Sequence, residues 1–197
     1  MNQFPPFSSR VAPLLVDDID TDQIIPARFL KVTDKSGLGA NLFSDWKYYP
    51  DGSLNTEFVL NRPEYAGVAI LLAGNNFGCG SSREHAAWAL KDHGIRAVIS
   101  TSFADIFRNN ALKNGVLPVV VGTDVHRELC DLVAAHPSAE LNIDLETQAI
   151  RLPGGEVREF PIDNFSKTCL LEGTDELGYL LKFEQQIAAH ESPQQGK

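Results

Sequence analysis

The sequence predicts an α/β fold built on a mixed sheet, and three observations carry the prediction. They are a short unbroken apolar run at Gly67-Val68-Ala69-Ile70-Leu71-Leu72-Ala73, an alternation of strand-like and helix-like segments after it, and a glycine-turned hairpin pattern around Gly154. An apolar run of that length without polar interruption suits a strand covered on both faces, as parallel sheets require. The alternation suits strands joined by crossover helices, and the hairpin adds antiparallel pairing.

Taken in order, the run leads into Asn76-Phe77-Gly78-Cys79-Gly80-Ser81-Ser82-Arg83-Glu84-His85, which turns from strand to helix. Ser81 stands three residues before Glu84, the spacing of a capping box ahead of Ala86-Ala87-Trp88-Ala89-Leu90, and Gly94 is the expected stop. A strand is expected over Ala97-Val98-Ile99, a helix from Phe103 to Asn114 stopped by Gly115, a strand over Val119-Val120-Val121 and a helix from Val125 to Ala135. Then come a strand over Leu141 to Leu145 and a hairpin pairing Ala149 to Leu152 with Glu156 to Phe160 around Pro153-Gly154-Gly155. A helix from Asp175 to His190 closes the pattern, and residues 192–197 are expected to fray.

Residues 30–66 show no regular period. Lys31 to Gly39 is polar and glycine-containing, which suits a mobile loop. Trp46, Tyr48 and Tyr49 supply rigid apolar surface, for which local packing is favoured over ligand contact.

At 197 residues, with 43% apolar and 22% charged side chains, the chain has an ordinary globular composition and the length for one compact unit. No apolar run reaches bilayer length, and Met1 to Pro6 lacks the basic start and apolar centre of a signal peptide, so a cytoplasmic protein is expected. A formal net charge of -9 disfavours nucleic acid and anionic membrane as partners. Cys79, Cys130 and Cys169 are too widely spaced for a disulfide framework or a metal motif, so no metal site is expected in this chain. Cys130 and Cys169 stand in apolar surroundings as small buried side chains.

The turn at Gly78-Cys79-Gly80 is where chemistry is expected. Both glycines permit positive φ and close backbone approach, so the turn can present N–H groups and a helix N-terminus to an anion. Arg83 occupies the third glycine position of the dinucleotide fingerprint, which removes that reading. Two readings of Ser81-Ser82-Arg83 remain: an anion site, or a serine cap followed by a solvated first-turn arginine. Cys79 beside a helix N-terminus and an arginine also raises a nucleophilic thiol. No histidine partner is marked, since packing or solvent explains His85 and a helix-end dipole contact explains His93.

Phe77 to His85, together with Ser102-Phe103-Ala104-Asp105-Ile106-Phe107, Asn110 and Gly115-Val116-Leu117-Pro118, resembles the mobile C-terminal domain of the aconitase superfamily. Asp18 to Leu30 and Leu42-Phe43-Ser44-Asp45-Trp46 narrow the resemblance to the bacterial 3-isopropylmalate dehydratase small-subunit family. It extends over nearly everything except the C-terminal tail. It implies a single swivelling β/β/α domain over residues 1–191 with a mixed, largely parallel sheet. It also implies a hydro-lyase that isomerises 2-isopropylmalate and 3-isopropylmalate by dehydration and rehydration, in leucine biosynthesis.

Removing a weakly acidic proton beside a carboxylate while expelling hydroxide needs a base and a Lewis acid. By the resemblance, Ser81 is the base, Ser82 and Arg83 hold the small hydroxy-dicarboxylate substrate, and a substrate-discriminating loop begins at Lys31-Val32-Thr33. Arg28 is a weaker substrate-binding candidate, with a surface ion pair as its other reading. A 4Fe-4S cluster is implied in a separate large subunit, without which this chain would be inactive. Other readings are the same partnership acting on citramalate, homoaconitate or a dimethylmalate, a non-catalytic anion-binding module, and a cysteine hydrolase.

Overall fold

The computed structural model describes residues 3–30 and 37–184. Its strands are β1 (Phe7–Leu14), β2 (Ile70–Ala73), β3 (Ala97–Ser100), β4 (Leu117–Val120), β5 (Glu140–Asp144), β6 (Ala149–Arg151) and β7 (Val157–Glu159). They form one seven-stranded sheet in the order β4-β3-β2-β1-β5-β6-β7. The mixed sheet is as expected, and its parallel pairing is gathered at one end. β4, β3, β2 and β1 run parallel, with Val11 opposite Ile70 and Ile70 opposite Ala97, while β5, β6 and β7 continue antiparallel from the other side of β1.

The helices are α1 (Thr21–Ile24), α2 (Ser44–Lys47), α3 (Glu84–His93), α4 (Asp105–Lys113), α5 (Thr123–Ala135), α6 (Asn164–Glu172) and α7 (Glu176–Leu181). Strand alternation divides the core between the two sheet faces. Leu71, Ala73, Ala12 and Val98 pack with Ala86 and Leu90 of α3 and with Phe43, Phe77 and Phe107. Ile70, Leu72, Val11 and Ile99 pack with Leu129 and Val133 of α5 and Leu170 of α6. Every residue of β2 and β3 is buried, which is why those strands read as continuous apolar runs.

Several expectations need adjustment. The helix after the glycine turn begins at Glu84, not at Ser81, and its N-cap Arg83 makes no side-chain cap bond. α4 begins at Asp105 because Phe103 bridges Phe77 in parallel and Ala104 N–H bonds Phe77 O (3.1 Å). Pro118 lies inside β4, which its edge position permits, since the missing N–H faces no neighbour. β1 and α6 are additional elements; α6 is capped by Asp163, whose Oδ1 accepts from Ser166 N–H (2.8 Å). α7 covers the start of the expected terminal helix, whereas residues 185–190, the tail 192–197, and Lys31 to Ser36 lie outside the described residues.

The irregular 37–66 stretch holds α2 and 3-10 turns at Gly39–Asn41, Val59–Asn61 and Pro63–Tyr65. Trp46 packs locally as favoured, with ring centroids 5.5 Å from Phe43 and 6.0 Å from Phe58. Tyr48 and Tyr49 remain exposed. Among the described residues no helix is long and apolar enough to cross a membrane.

Candidate active site

Beyond β1 and β2 the two chains continue side by side. Asp18 N–H bonds Asn75 O (2.9 Å), Gly78 N–H bonds Ile19 O (2.7 Å) and Thr21 N–H bonds Cys79 O (2.9 Å). On the other side, Phe77 N–H bonds Ser102 O (3.2 Å). The segment after β2 is thereby held between the ends of β1 and β3, at the carboxyl edge where open α/β sheets place ligands.

Gly78 and Gly80 have φ of +79° and +85°, as the sequence suggests. A Cβ at Gly78 would lie 2.1 Å from Phe107 Cγ, so this glycine also allows α4 to approach. A Cβ at Gly80 would lie 3.3 Å from the Cβ of Asp20. The turn is therefore pressed between α4 and the start of α1.

Ser81, Ser82 and Arg83 form a non-helical link before α3, not its first turn; Ser81 is at a bend and Arg83 is extended. The residue with the capping role is Asp20: its Oδ1 accepts from Gln23 N–H, and Gln23 Oε1 accepts from Asp20 N–H, each at 2.8 Å. This reciprocal box fixes α1. Thr21 Oγ1 then donates to Ser81 O (2.9 Å), and Asp22 forms an ion pair with Arg83, whose side chain is only 18% exposed. A solvated Arg83 is thus replaced by an anchored one. The Ser81 and Ser82 hydroxyls are not engaged in capping α3. Gly78 N–H is taken by Ile19 O, while the N–H groups of Gly80, Ser81 and Ser82 have no acceptor among the described residues. Any anion contact belongs to that later part of the turn.

Glu84 ties the start of α3 to the end of α4: its Oε1 accepts from Trp88 Nε1 (3.2 Å) and Asn114 Nδ2 (2.9 Å). The structure therefore brings together Gly78, Cys79, Gly80, Ser81, Ser82 and Arg83. Arg28 instead pairs with Asp45 at the surface, its guanidinium 4.6 Å above the Phe29 ring. Thr21 and Asp22 carry roles that the sequence did not suggest, and Glu84, expected to close a capping box with Ser81, joins α3 to α4 instead. Only the Asp20-x-x-Gln23 capping pattern was available as a local signal for α1.

The thiol of Cys79 does not have the electrostatics of a nucleophile. Burial, and then the carboxylates of Asp18 and Asp20, raise its pKa, and its Sγ donates to Asp18 O (3.2 Å). Cys130 is half-buried with Sγ 3.6 Å from His126 Nδ1, and Cys169 is buried on α6. His85 packs on Trp88 at 4.5 Å between ring centroids. His93 is not in a favourable dipole contact as a cation. Burial and then Lys47 lower its pKa, and its Nδ1 lies 3.1 Å from Gly39 O, so the neutral ring donates there.

A parallel edge presenting a glycine turn, paired serines and an anchored arginine defines a class: residues 1–123 match the family described as the aconitase C-terminal domain, and residues 127–164 match LeuD_N. Among proteins named 3-isopropylmalate dehydratase small subunit, that of Chloroflexus aggregans is 60% identical over 192 residues, covering 98% of this chain and 94% of its own. That of Anaeromyxobacter dehalogenans is 60% identical over 183 residues, 93% and 94% of the two chains. A crystal structure of 3-isopropylmalate dehydratase from Methanocaldococcus jannaschii superposes with TM-score 0.65 at 29% identity, covering 94% of this chain and 99% of the other. The chain belongs to the 3-isopropylmalate dehydratase small-subunit family of the aconitase superfamily.

Proposed function

We propose that this chain, as the small subunit of 3-isopropylmalate dehydratase, supplies the base and a carboxylate anchor for the interconversion of 2-isopropylmalate and 3-isopropylmalate in leucine biosynthesis. The observation that carries the assignment of roles is the non-helical Ser81-Ser82-Arg83 link, fixed from α1 at its backbone and its guanidinium. Ser81 Oγ removes the proton beside the substrate carboxylate in the dehydration direction and returns it in the hydration direction. A serine hydroxyl is a poor base until its alkoxide is stabilised. The N–H groups of the link, Arg83 and the N-terminus of α3 supply that stabilisation. Arg83, held by Asp22, offers its remaining donors to a substrate carboxylate, and Ser82 donates a further hydrogen bond.

A 4Fe-4S cluster, implied by the family, would supply the Lewis acid for the departing hydroxide. Such clusters need several thiolates together, whereas Cys79, Cys130 and Cys169 lie on separate elements, and no group of three or more candidate ligands occurs among the described residues. The donors of this chain do not fit the cluster, which is assigned to the large subunit. The same proposal takes residues 1–191 as one swivelling domain, in a cytoplasmic protein whose partners are that subunit and a small hydroxy-dicarboxylate.

The test is anaerobic reconstitution with a cluster-loaded large subunit, assayed on 2-isopropylmalate, citramalate and homoaconitate. Turnover is expected only in the mixture and preferentially on 2-isopropylmalate. Ser81→Ala is expected to lower kcat at least 100-fold, on the order of a lost proton-transfer group, with an unchanged melting temperature because no cap is lost. Turnover by this chain alone overturns the two-subunit assignment, and near-normal kcat in Ser81→Ala overturns the base.

A further inference from the structure

We infer that Thr21 is a positioning residue for the reaction, acting through the backbone of Ser81. The inference rests on the reading of Ser81 as the base and extends it to a residue 60 positions away. Two carbonyls flank Gly80 in the turn, those of Cys79 and Ser81, and Thr21 bonds both: its N–H donates to Cys79 O and its Oγ1 donates to Ser81 O, each at 2.9 Å. Thr21 is itself 1% exposed, so its hydroxyl is not free to choose water instead. Its own backbone is fixed by the reciprocal cap between Asp20 and Gln23.

Gly80 is the residue most in need of such a clamp. Its φ of +85° belongs to a glycine, whose backbone has wide freedom. Without a side chain, Gly80 cannot resist rotation on its own, and the Thr21 hydroxyl lies 3.8 Å from where its Cβ would stand. Rotation about Gly80 would swing Ser81 while leaving β2 and α3 in place. A proton transfer requires its base within a few tenths of an ångström of the working position, so loss of the clamp acts on kcat. Valine keeps the volume of the buried Thr21 side chain, and the Thr21 N–H bond to Cys79 O remains, so the fold should lose little.

Thr21→Val keeps the shape and removes the donor. In the reconstituted enzyme it is expected to lower kcat about 10- to 100-fold, the scale of a small misplacement of a catalytic group, with KM and subunit affinity unchanged. Thr21→Ser, which restores the hydroxyl, is expected to recover most of that loss. In a Ser81→Ala background Thr21→Val should add nothing, because the group it positions is gone. Wild-type kcat in Thr21→Val overturns the inference, as does a Thr21→Ser enzyme as slow as Thr21→Val, which would assign the effect to packing. If Ser81→Ala alone retains turnover, it is the base assignment that fails. If Ser81→Ala is inactive while Thr21→Val is normal, only the positioning role fails.

Discussion

Where the parallel half of the sheet ends, the backbone goes on hydrogen-bonding past the strands; where β6 meets β7, it turns back within Pro153-Gly154-Gly155. The first case has Asp18 N–H on Asn75 O and Thr21 N–H on Cys79 O, the second has Leu152 N–H closing on Glu156 O (2.9 Å). Parallel strands need crossovers, so their carboxyl ends send successive loops out at one edge and bring helix N-termini there. A hairpin uses its strand ends on itself. The two family matches divide near the same place, one ending at residue 123 and the other beginning at 127, where α5 leaves the parallel half. The edge proposed for the chemistry and the hairpin side of the sheet are thus separated along the chain as well as in space.

The two halves should respond most unequally to the same substitution, glycine to alanine at a left-handed position. Gly78→Ala adds a methyl 2.1 Å from Phe107 Cγ at φ +79°, whereas Gly155→Ala, at φ +92°, meets nothing within 4 Å. The left-handed backbone costs about 1–2 kcal/mol at either site, and overpacking adds about 1–3 kcal/mol at Gly78 alone. Denaturant midpoints should therefore fall about twice as far for Gly78→Ala, and its turnover should collapse while that of Gly155→Ala stays normal per folded molecule. Equal midpoints would show that the close approach of α4 imposes no constraint on the turn.

Much of this division was legible in the sequence, and the gaps have physical causes. β2 and β3 announced themselves because strands buried on both faces have no polar positions. β1, although central, carries Ser8, Ser9 and Arg10 where it passes to the antiparallel side, and that mixture hides its period. The Ser81-to-Glu84 spacing imitated a capping box because capping is a local rule. Contacts with α1, 60 and 61 residues away in sequence, hold the link out of the helix, and the N-cap falls two residues later, at Arg83. Arg83 was identifiable as special, but its partner Asp22 was not, since nothing local relates them.

Acid titration separates the halves more gently. His93, at the far end of α3 from the turn, has a pKa held below its ordinary 6.5 by burial and then by Lys47. The unfolded chain binds that proton first, so stability is full above about pH 6.5 and falls as pH drops from there. Asp144 and Asp163 in the antiparallel half lie below their ordinary 3.8. The hydrogen bond from Thr147 lowers Asp144; for Asp163 burial opposes ionisation and the bonds from Ser166 prevail. Those two contribute stability that is lost only as pH falls below about 3.8. His93→Gln should flatten the stability profile just below pH 6.5 and leave the carboxylate limb below about pH 3.8 intact; an unchanged slope would remove His93 as its source.

Within the turn itself, Cys79 should matter far less than Ser81, two residues on. Both side chains lie at the same glycine-rich edge, and by intrinsic acidity the thiol is the better candidate for an anion. The surroundings reverse that order. Burial and the nearby Asp18 and Asp20 raise the thiol pKa, and Sγ is engaged with Asp18 O at 3.2 Å, whereas the Ser81 hydroxyl caps nothing. Cys79→Ala should lose about 1 kcal/mol or less of stability for that weak bond and leave kcat and KM near wild type in the reconstituted enzyme. Alkylating reagents should likewise react slowly with Cys79 at neutral pH, because the thiolate is the reactive form. A fall in kcat matching that of Ser81→Ala would place the thiol in the chemistry and reverse the assignment of roles within the turn.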